Sequence, residues 1–74
     1  MKLSQLNPGQ TATVDGLNQL DTLVRKKLMV MGLLPTTEIR VVRRAPMGDP
    51  LQVEVRGVSI ALRNAIAEKI EVTL

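Results

Sequence analysis

Apolar and polar residues alternate with a period of two along much of the chain, and once with a period of three to four. After the turn signal Asn7-Pro8-Gly9, the stretch Gln10 to Asp15 sets Ala12 and Val14 on one face and Thr11, Thr13 and Asp15 on the other. That is the pattern of a half-buried strand. Ile39 to Arg44 places Ile39 and Val41 together, and Leu51 to Arg56 alternates Leu51, Val53 and Val55 with Gln52, Glu54 and Arg56. Val58 to Arg63 repeats the pattern, with Val58, Ile60 and Leu62 against Ser59, Ala61 and Arg63; Gly57 between the two runs predicts a tight hairpin. Ile70, Val72 and Leu74 predict a closing strand with Glu71 and Thr73 outward. The connection Ala45-Pro46-Met47-Gly48-Asp49-Pro50 carries two prolines and cannot pair along its whole length.

From Asn18 to Met31 the period lengthens. Leu20, Leu23, Val24, Leu28 and Met31 recur at helical spacing, with Asp21, Arg25 and Lys26 on other faces. Asn18 is suited to cap the helix, Asp21 and Lys26-Lys27 complement its dipole at opposite ends, Gly32 can take the left-handed position after it, and Pro35 prevents continuation. The stripe Leu20, Val24 and Leu28 is the face expected to pack on the strands. Asn64 to Lys69 predicts a single helical turn.

These elements amount to a mainly β domain over residues 1–74, with five short strands, one helix inserted after the first and a short helical turn before the last. Turn signals spaced about 8–12 residues apart are typical of small all-β domains. Five strands with one apolar face each cannot lie flat and open in so small a chain. Curling into a barrel that resembles the Src-homology-3 fold covers those faces and limits exposed edges.

Composition narrows the function classes. The chain has no cysteine, no histidine and no aromatic residue. It therefore lacks disulfides, thiolate metal sites, the commonest general base and the stacking platforms of single-stranded nucleic-acid binders. Its net charge is +3, from ten basic and seven acidic residues. The first residues show no apolar signal-peptide core, and the longest apolar run, Leu28 to Leu34, is far below the roughly 18 residues of a membrane span. A cytoplasmic binding module is the expectation.

Several ordered motifs resemble the FeoA family. Leu28-Met29-Val30-Met31-Gly32-Leu33-Leu34-Pro35 resembles its "LxxLGLxPG" segment, Ala45-Pro46-Met47-Gly48-Asp49-Pro50-Leu51 its "P-x-G-D-P" loop, Val58-Ser59-Ile60-Ala61-Leu62-Arg63 its "g-x-x-i-a-L-R" strand, and Ile70-Glu71-Val72 its closing "I-x-V". Asn7-Pro8-Gly9 and Val14 fit the start, so the resemblance runs through the chain in order. One position departs: Thr36 stands where the family pattern has glycine after proline. The resemblance implies a small cytoplasmic protein of bacterial ferrous-iron uptake with a Src-homology-3-like barrel. It also implies a partner, the FeoB membrane permease with its guanine-nucleotide-binding domain, and a family-level label of transition-metal-ion binding. Similar barrels form the C-terminal domain of iron-dependent repressors.

The residues themselves supply little chemistry. Asp15, Asp21, Glu38, Asp49, Glu54, Glu68 and Glu71 are scattered and accompany no histidine, so no metal site is expected. Ser4 and Ser59 have no base to activate them, and no Gly-rich phosphate loop precedes a Lys-Ser/Thr pair. Neither catalysis, a cofactor nor direct nucleotide binding is expected. The basic groups Arg25-Lys26-Lys27 and Arg40, Arg43 and Arg44 suit a solvated surface or a partner with an acidic face. Nucleic acid is not expected at this charge. Arg43 and Arg44, near a loop, are candidates for an arginine finger into a partner's nucleotide site. The expected contact surface combines the end of the helix with the proline loop: Arg25, Met29, Leu33, Met47 and Asp49, with Pro46, Gly48 and Pro50 shaping the loop. The function expected is regulation of the permease by protein–protein contact. A nucleic-acid-associated or repressor-type barrel, and a weak homo-oligomer pairing through strand edges, are the alternatives.

Overall fold

The computed structural model describes all 74 residues. In chain order its elements are a 3-10 turn at Leu3–Gln5, β1 (Thr11–Gly16), α1 (Thr22–Val30), β2 (Glu38–Arg44), β3 (Leu51–Val55), β4 (Val58–Leu62), α2 (Asn64–Ala67) and β5 (Glu71–Thr73). The five strands form one antiparallel sheet in the order β4-β3-β2-β1-β5. The sheet encloses 18 buried residues, all of them hydrophobic. The inward positions expected of β1, β2 and β3, Ala12, Val14, Ile39, Val41, Leu51, Val53 and Val55, are all among them.

Backbone chemistry explains the connections. Val55 pairs with Val58 across a two-residue loop in which Arg56 and Gly57 both have positive φ, +53° and +81°. That is the primed hairpin geometry whose twist matches the flanking strands. Extra residues interrupt the ladders at Asp15 and Val42, where the register shifts between Val14 and Gly16 and between Val41 and Arg43. The second bulge reverses the facing of the end of β2. Arg43 pairs with Gln52 on the solvent side, and Arg44 pairs with Leu51, whose side chain is buried.

The ends of the helix and of the strands differ from expectation. α1 begins at Thr22, not Asn18, because Asp21 is its cap: its Oδ1 accepts the Leu23 N–H at 2.8 Å. Leu17 and Leu20 are buried in the turn that precedes the helix, closed by Leu20 N–H to Leu17 O at 3.1 Å. Leu23 and Met31, which share the helical spacing but lie off the expected stripe of Leu20, Val24 and Leu28, are 69% and 44% exposed. Val58 and Leu74 also stay exposed, Val58 at the mouth of an edge strand with one neighbour and Leu74 beyond the end of β5. Residues 1–6, for which no element was expected, plug one end of the core with Leu3 and Leu6. They also cover the outer edge of β5: Leu3 N–H donates to Ile70 O, Val72 N–H to Met1 O, and Lys2 forms an ion pair with Glu71.

Thr36 occupies a position built for glycine. Leu34 to Thr37 forms a turn closed by Thr37 N–H to Leu34 O at 3.1 Å, with Pro35 second and Thr36 third at φ +69°. A positive φ at the third residue is the requirement of a type II turn, and a β-branched residue there is strained. The turn persists because Thr36 N–H donates to Val14 O at 2.7 Å and Val14 N–H to Thr37 O at 2.9 Å, which locks it to β1. Replacing Thr36→Gly is expected to stabilise the fold by about 0.5–1 kcal/mol, strain relief of ~1–2 kcal/mol less the added entropy of the unfolded glycine. Denaturant melts followed by far-UV circular dichroism test this; a loss of stability would refute the strain.

Candidate interaction surfaces

Two surfaces carry exposed hydrophobic side chains without a structural duty. The first is the outer face of α1. Val24 and Leu28 attach the helix to the core, and of its nine residues only Leu28 is buried. Leu23 and Val30 lie roughly 140–160° around the helix from Leu28, on the far side. They are 69% and 88% exposed. Lys26 and Lys27 flank them, and Met31 continues the ridge; these five residues line one shallow depression. The chain has two ion pairs, Lys2–Glu71 and Arg40–Glu54, so Arg25, Lys26 and Lys27 belong to neither. Arg25, half-buried, and Met29, 39% exposed, lie along one side of the same helix.

The end of α1 explains Leu33. Gly32, at φ +99°, donates to Met29 O at 3.1 Å, and Leu33 N–H donates to Leu28 O at 3.0 Å. These are the paired bonds of a Schellman cap, which brings the residue after the glycine back over the helix. Leu33 is accordingly wholly buried in the same core as Leu28. It is a packing residue and does not belong to the contact surface proposed from the sequence.

The second surface is the proline loop, Ala45 to Pro50. Gly48 N–H donates to Ala45 O at 2.7 Å, which makes Pro46 and Met47 the central residues of a turn and leaves Met47 91% exposed at the tip. Ala45 N–H donates to Pro50 O at 3.1 Å and closes the base, where the Asp49–Pro50 peptide is cis. Asn64 fastens the loop to α2. Its Nδ2 donates to Gly48 O at 2.7 Å, and its N–H donates to Asp49 Oδ1 at 3.0 Å. Asp49 thus satisfies an otherwise unpartnered N–H at the start of α2. It braces the loop through that bond.

Arg44 completes this brace. The bulge in β2 turns its guanidinium inward, where it donates to Ser4 O, to Leu6 O at 3.3 Å and to Asn64 Oδ1 at 3.3 Å. Those bonds join the N-terminal plug, β2 and α2, and they commit the group that the sequence put forward as an arginine finger. Arg43 donates from Nε to Gln52 Oε1 at 3.1 Å across the exposed face of the sheet. On the same face Thr11, Glu38, Arg40, Glu54 and Arg56 line a polar depression, with Arg40 paired to Glu54 at 3.2 Å. No three carboxylates converge as a metal-binding group.

The sequence-predicted site therefore divides. Arg25 and Met29 share α1; Pro46, Met47, Gly48, Asp49 and Pro50 share the loop; Leu33 is in the core. Lys26 and Lys27 were expected as part of a basic group, but the apolar residues beside them, Leu23, Val30 and Met31, were not expected on a contact surface. The available signal was the seven-residue spacing of Leu23 and Val30 on the side of the helix away from Leu28.

Leu33→Ala is expected to cost about 2–5 kcal/mol by opening a cavity. Asn64→Ala is expected to cost about 1–2 kcal/mol by removing the side-chain bonds to Gly48 and Arg44 while keeping the N–H to Asp49, whereas Met47→Ser changes stability by less than about 0.5 kcal/mol. Urea melts of the three variants check the order; equal stability of Leu33→Ala and the parent would return Leu33 to the surface.

The comparisons with known proteins agree with this architecture. The family model described as "FeoA domain" matches residues 1–74. An "Fe(2+) transport protein A/Fe(2+) transporter FeoB fusion protein" of Porphyromonas gingivalis is 34% identical over 74 residues, which are 100% of this chain and 9% of the fusion protein. The solution structure of a FeoA protein from Chlorobium tepidum is 38% identical, matches 100% of this chain and 70% of its own, and superposes with a TM-score of 0.96. A zinc-complexed crystal structure of Stenotrophomonas maltophilia FeoA, described as a procaryotic SH3 domain protein, is 31% identical over 97% of this chain and 88% of its own, with a TM-score of 0.84. A manganese-dependent transcriptional repressor matches 100% of this chain and 41% of its own at 21% identity and a TM-score of 0.85, a likeness of fold alone. With its motifs in order, its Src-homology-3-like sheet and a match over its whole length, the chain belongs to the FeoA family, whose members are associated with ferrous-iron transport.

Proposed function

We propose that this chain is an accessory, regulatory domain of ferrous-iron uptake that docks on a FeoB-type permease and favours one conformation of its guanine-nucleotide-binding domain. The observation that carries this reading is the Porphyromonas gingivalis relative, in which the corresponding domain and the transporter are one polypeptide. Fusion holds the two at high effective concentration, which is useful to partners that meet through a small surface. The description of the Stenotrophomonas maltophilia protein, which suggests a ferrous-iron-transport activating factor, is consistent with it.

The domain would act through contact and without bond chemistry. A docked domain shifts a conformational equilibrium only by its difference in affinity for the two states. The proline loop suits that work because its tip is apolar and its base is fastened by Asn64 and Asp49, so little ordering entropy is lost on binding. Met47 would enter a pocket on the partner, with Met29 and Arg25 on α1 adding contact.

The test is capture of full-length permease in detergent by the immobilised chain, with GDP or a non-hydrolysable GTP analogue present. Binding several-fold tighter in one nucleotide state is expected, together with at least a tenfold loss in the paired variant Met29→Ser/Met47→Ser. Capture that ignores the nucleotide would reduce the role to scaffolding. No capture at all would end the reading.

A further inference from the structure

The outer ridge of α1 lies outside the proline-loop contact, and its chemistry points to a different occupant. Its crest is apolar: Leu23 and Val30, at 69% and 88% exposure, with Met31, 44% exposed, at the helix end beyond Lys27. Lys26 and Lys27 stand on its two flanks, and no residue from Thr22 to Val30 is acidic. Asp21, the adjoining carboxylate, is held as the helix cap by the Leu23 N–H. The helix thus presents a net positive charge around an apolar line. That is the arrangement of a helix lying in a membrane interface, where lysine stems run along the apolar surface and their ammonium groups reach the phosphates.

Size favours lipid over protein. Nine residues span about 13 Å of helix. One shallow face of that length cannot by itself supply the roughly 1,200 Å² that a stable protein interface buries. This applies equally to a second copy of the chain, whose identical lysines would also repel. A bilayer needs no complementary groove, and anionic headgroups match the charge.

We propose that the outer face of α1 docks reversibly on an anionic lipid bilayer, with Leu23, Val30 and Met31 entering the headgroup–acyl boundary and Lys26 and Lys27 pairing with lipid phosphates. The inference stands on α1 alone, and its test contains no permease, so its failure would leave the reading above untouched.

Flotation of the full chain with vesicles of phosphatidylcholine and phosphatidylglycerol at 3:1, and of phosphatidylcholine alone, reads it directly in low salt. Binding to the anionic vesicles and much weaker binding to the neutral ones is expected. Lys26→Gln/Lys27→Gln should weaken partitioning about 30-fold, each lysine near such a surface contributing about 5-fold. Leu23→Ser/Val30→Ser should weaken it at least about tenfold through lost apolar burial. Arg63→Gln/Lys69→Gln, which removes the same charge away from α1, should change it less than about threefold. All substituted side chains are exposed, so unchanged far-UV circular dichroism melts will certify the folds.

The proposal is overturned if the anionic vesicles are not bound, a result that would leave the ridge to a protein. It is overturned if Leu23→Ser/Val30→Ser binds like the parent, since attraction would then be long-range charge without insertion. Equal losses from Arg63→Gln/Lys69→Gln would overturn it in the same way. So would a dimer in sedimentation that Leu23→Ser/Val30→Ser dissociates, because the occupant would then be a second copy.

Discussion

An exclusively aliphatic interior is the constraint on which this molecule depends. Eighteen residues are buried, none of them polar, in a chain without cysteine or aromatic side chains. Neither a disulfide nor a large ring shares the task, so leucine, isoleucine, valine and alanine must fill the volume closely. This explains why Leu3 and Leu6 are drawn into one end and why Leu33 is folded back under the helix cap. In a chain of this size, each aliphatic group that can reach the centre is needed there.

The same constraint gives meaning to the aliphatic residues that stay outside. Leu23, Val30 and Met47 are placed by well-bonded local structure: a capped helix with a Schellman end, and a turn fastened by Asn64 and Asp49. Their exposure follows from a geometry that holds them out of the core. Single exposed hydrophobes are ordinary. Leu23 and Val30 lie in line along the helix, opposite its packed face and between two lysines that join no ion pair.

Polar side chains serve as joints between pieces of the barrel. Arg44 ties the N-terminal plug to β2 and α2, Lys2 ties it to β5, and Asp15 accepts a hydrogen bond from Thr73. Each joins segments distant in sequence. Together they leave the proline loop and the outer face of α1 projecting from a braced body.

The alternation of Leu51, Val53 and Val55, and of Ala12 and Val14, determined by itself that the chain would be a small curled sheet, because a period of two fixes which side chains share a face before any contact is made. The ordered proline and glycine motifs carried the family for a similar reason, since they set local backbone turns. Tertiary structure decided the rest. Only the bulge at Val42 turned Arg44 inward, and only the Asp21 cap, with Leu17 and Leu20 buried in the preceding turn, set where the helix began. Helical spacing says which residues lie together, but the direction in which a helix meets its sheet is set by the packing of the whole core, and that was the information on which the exposed ridge depended.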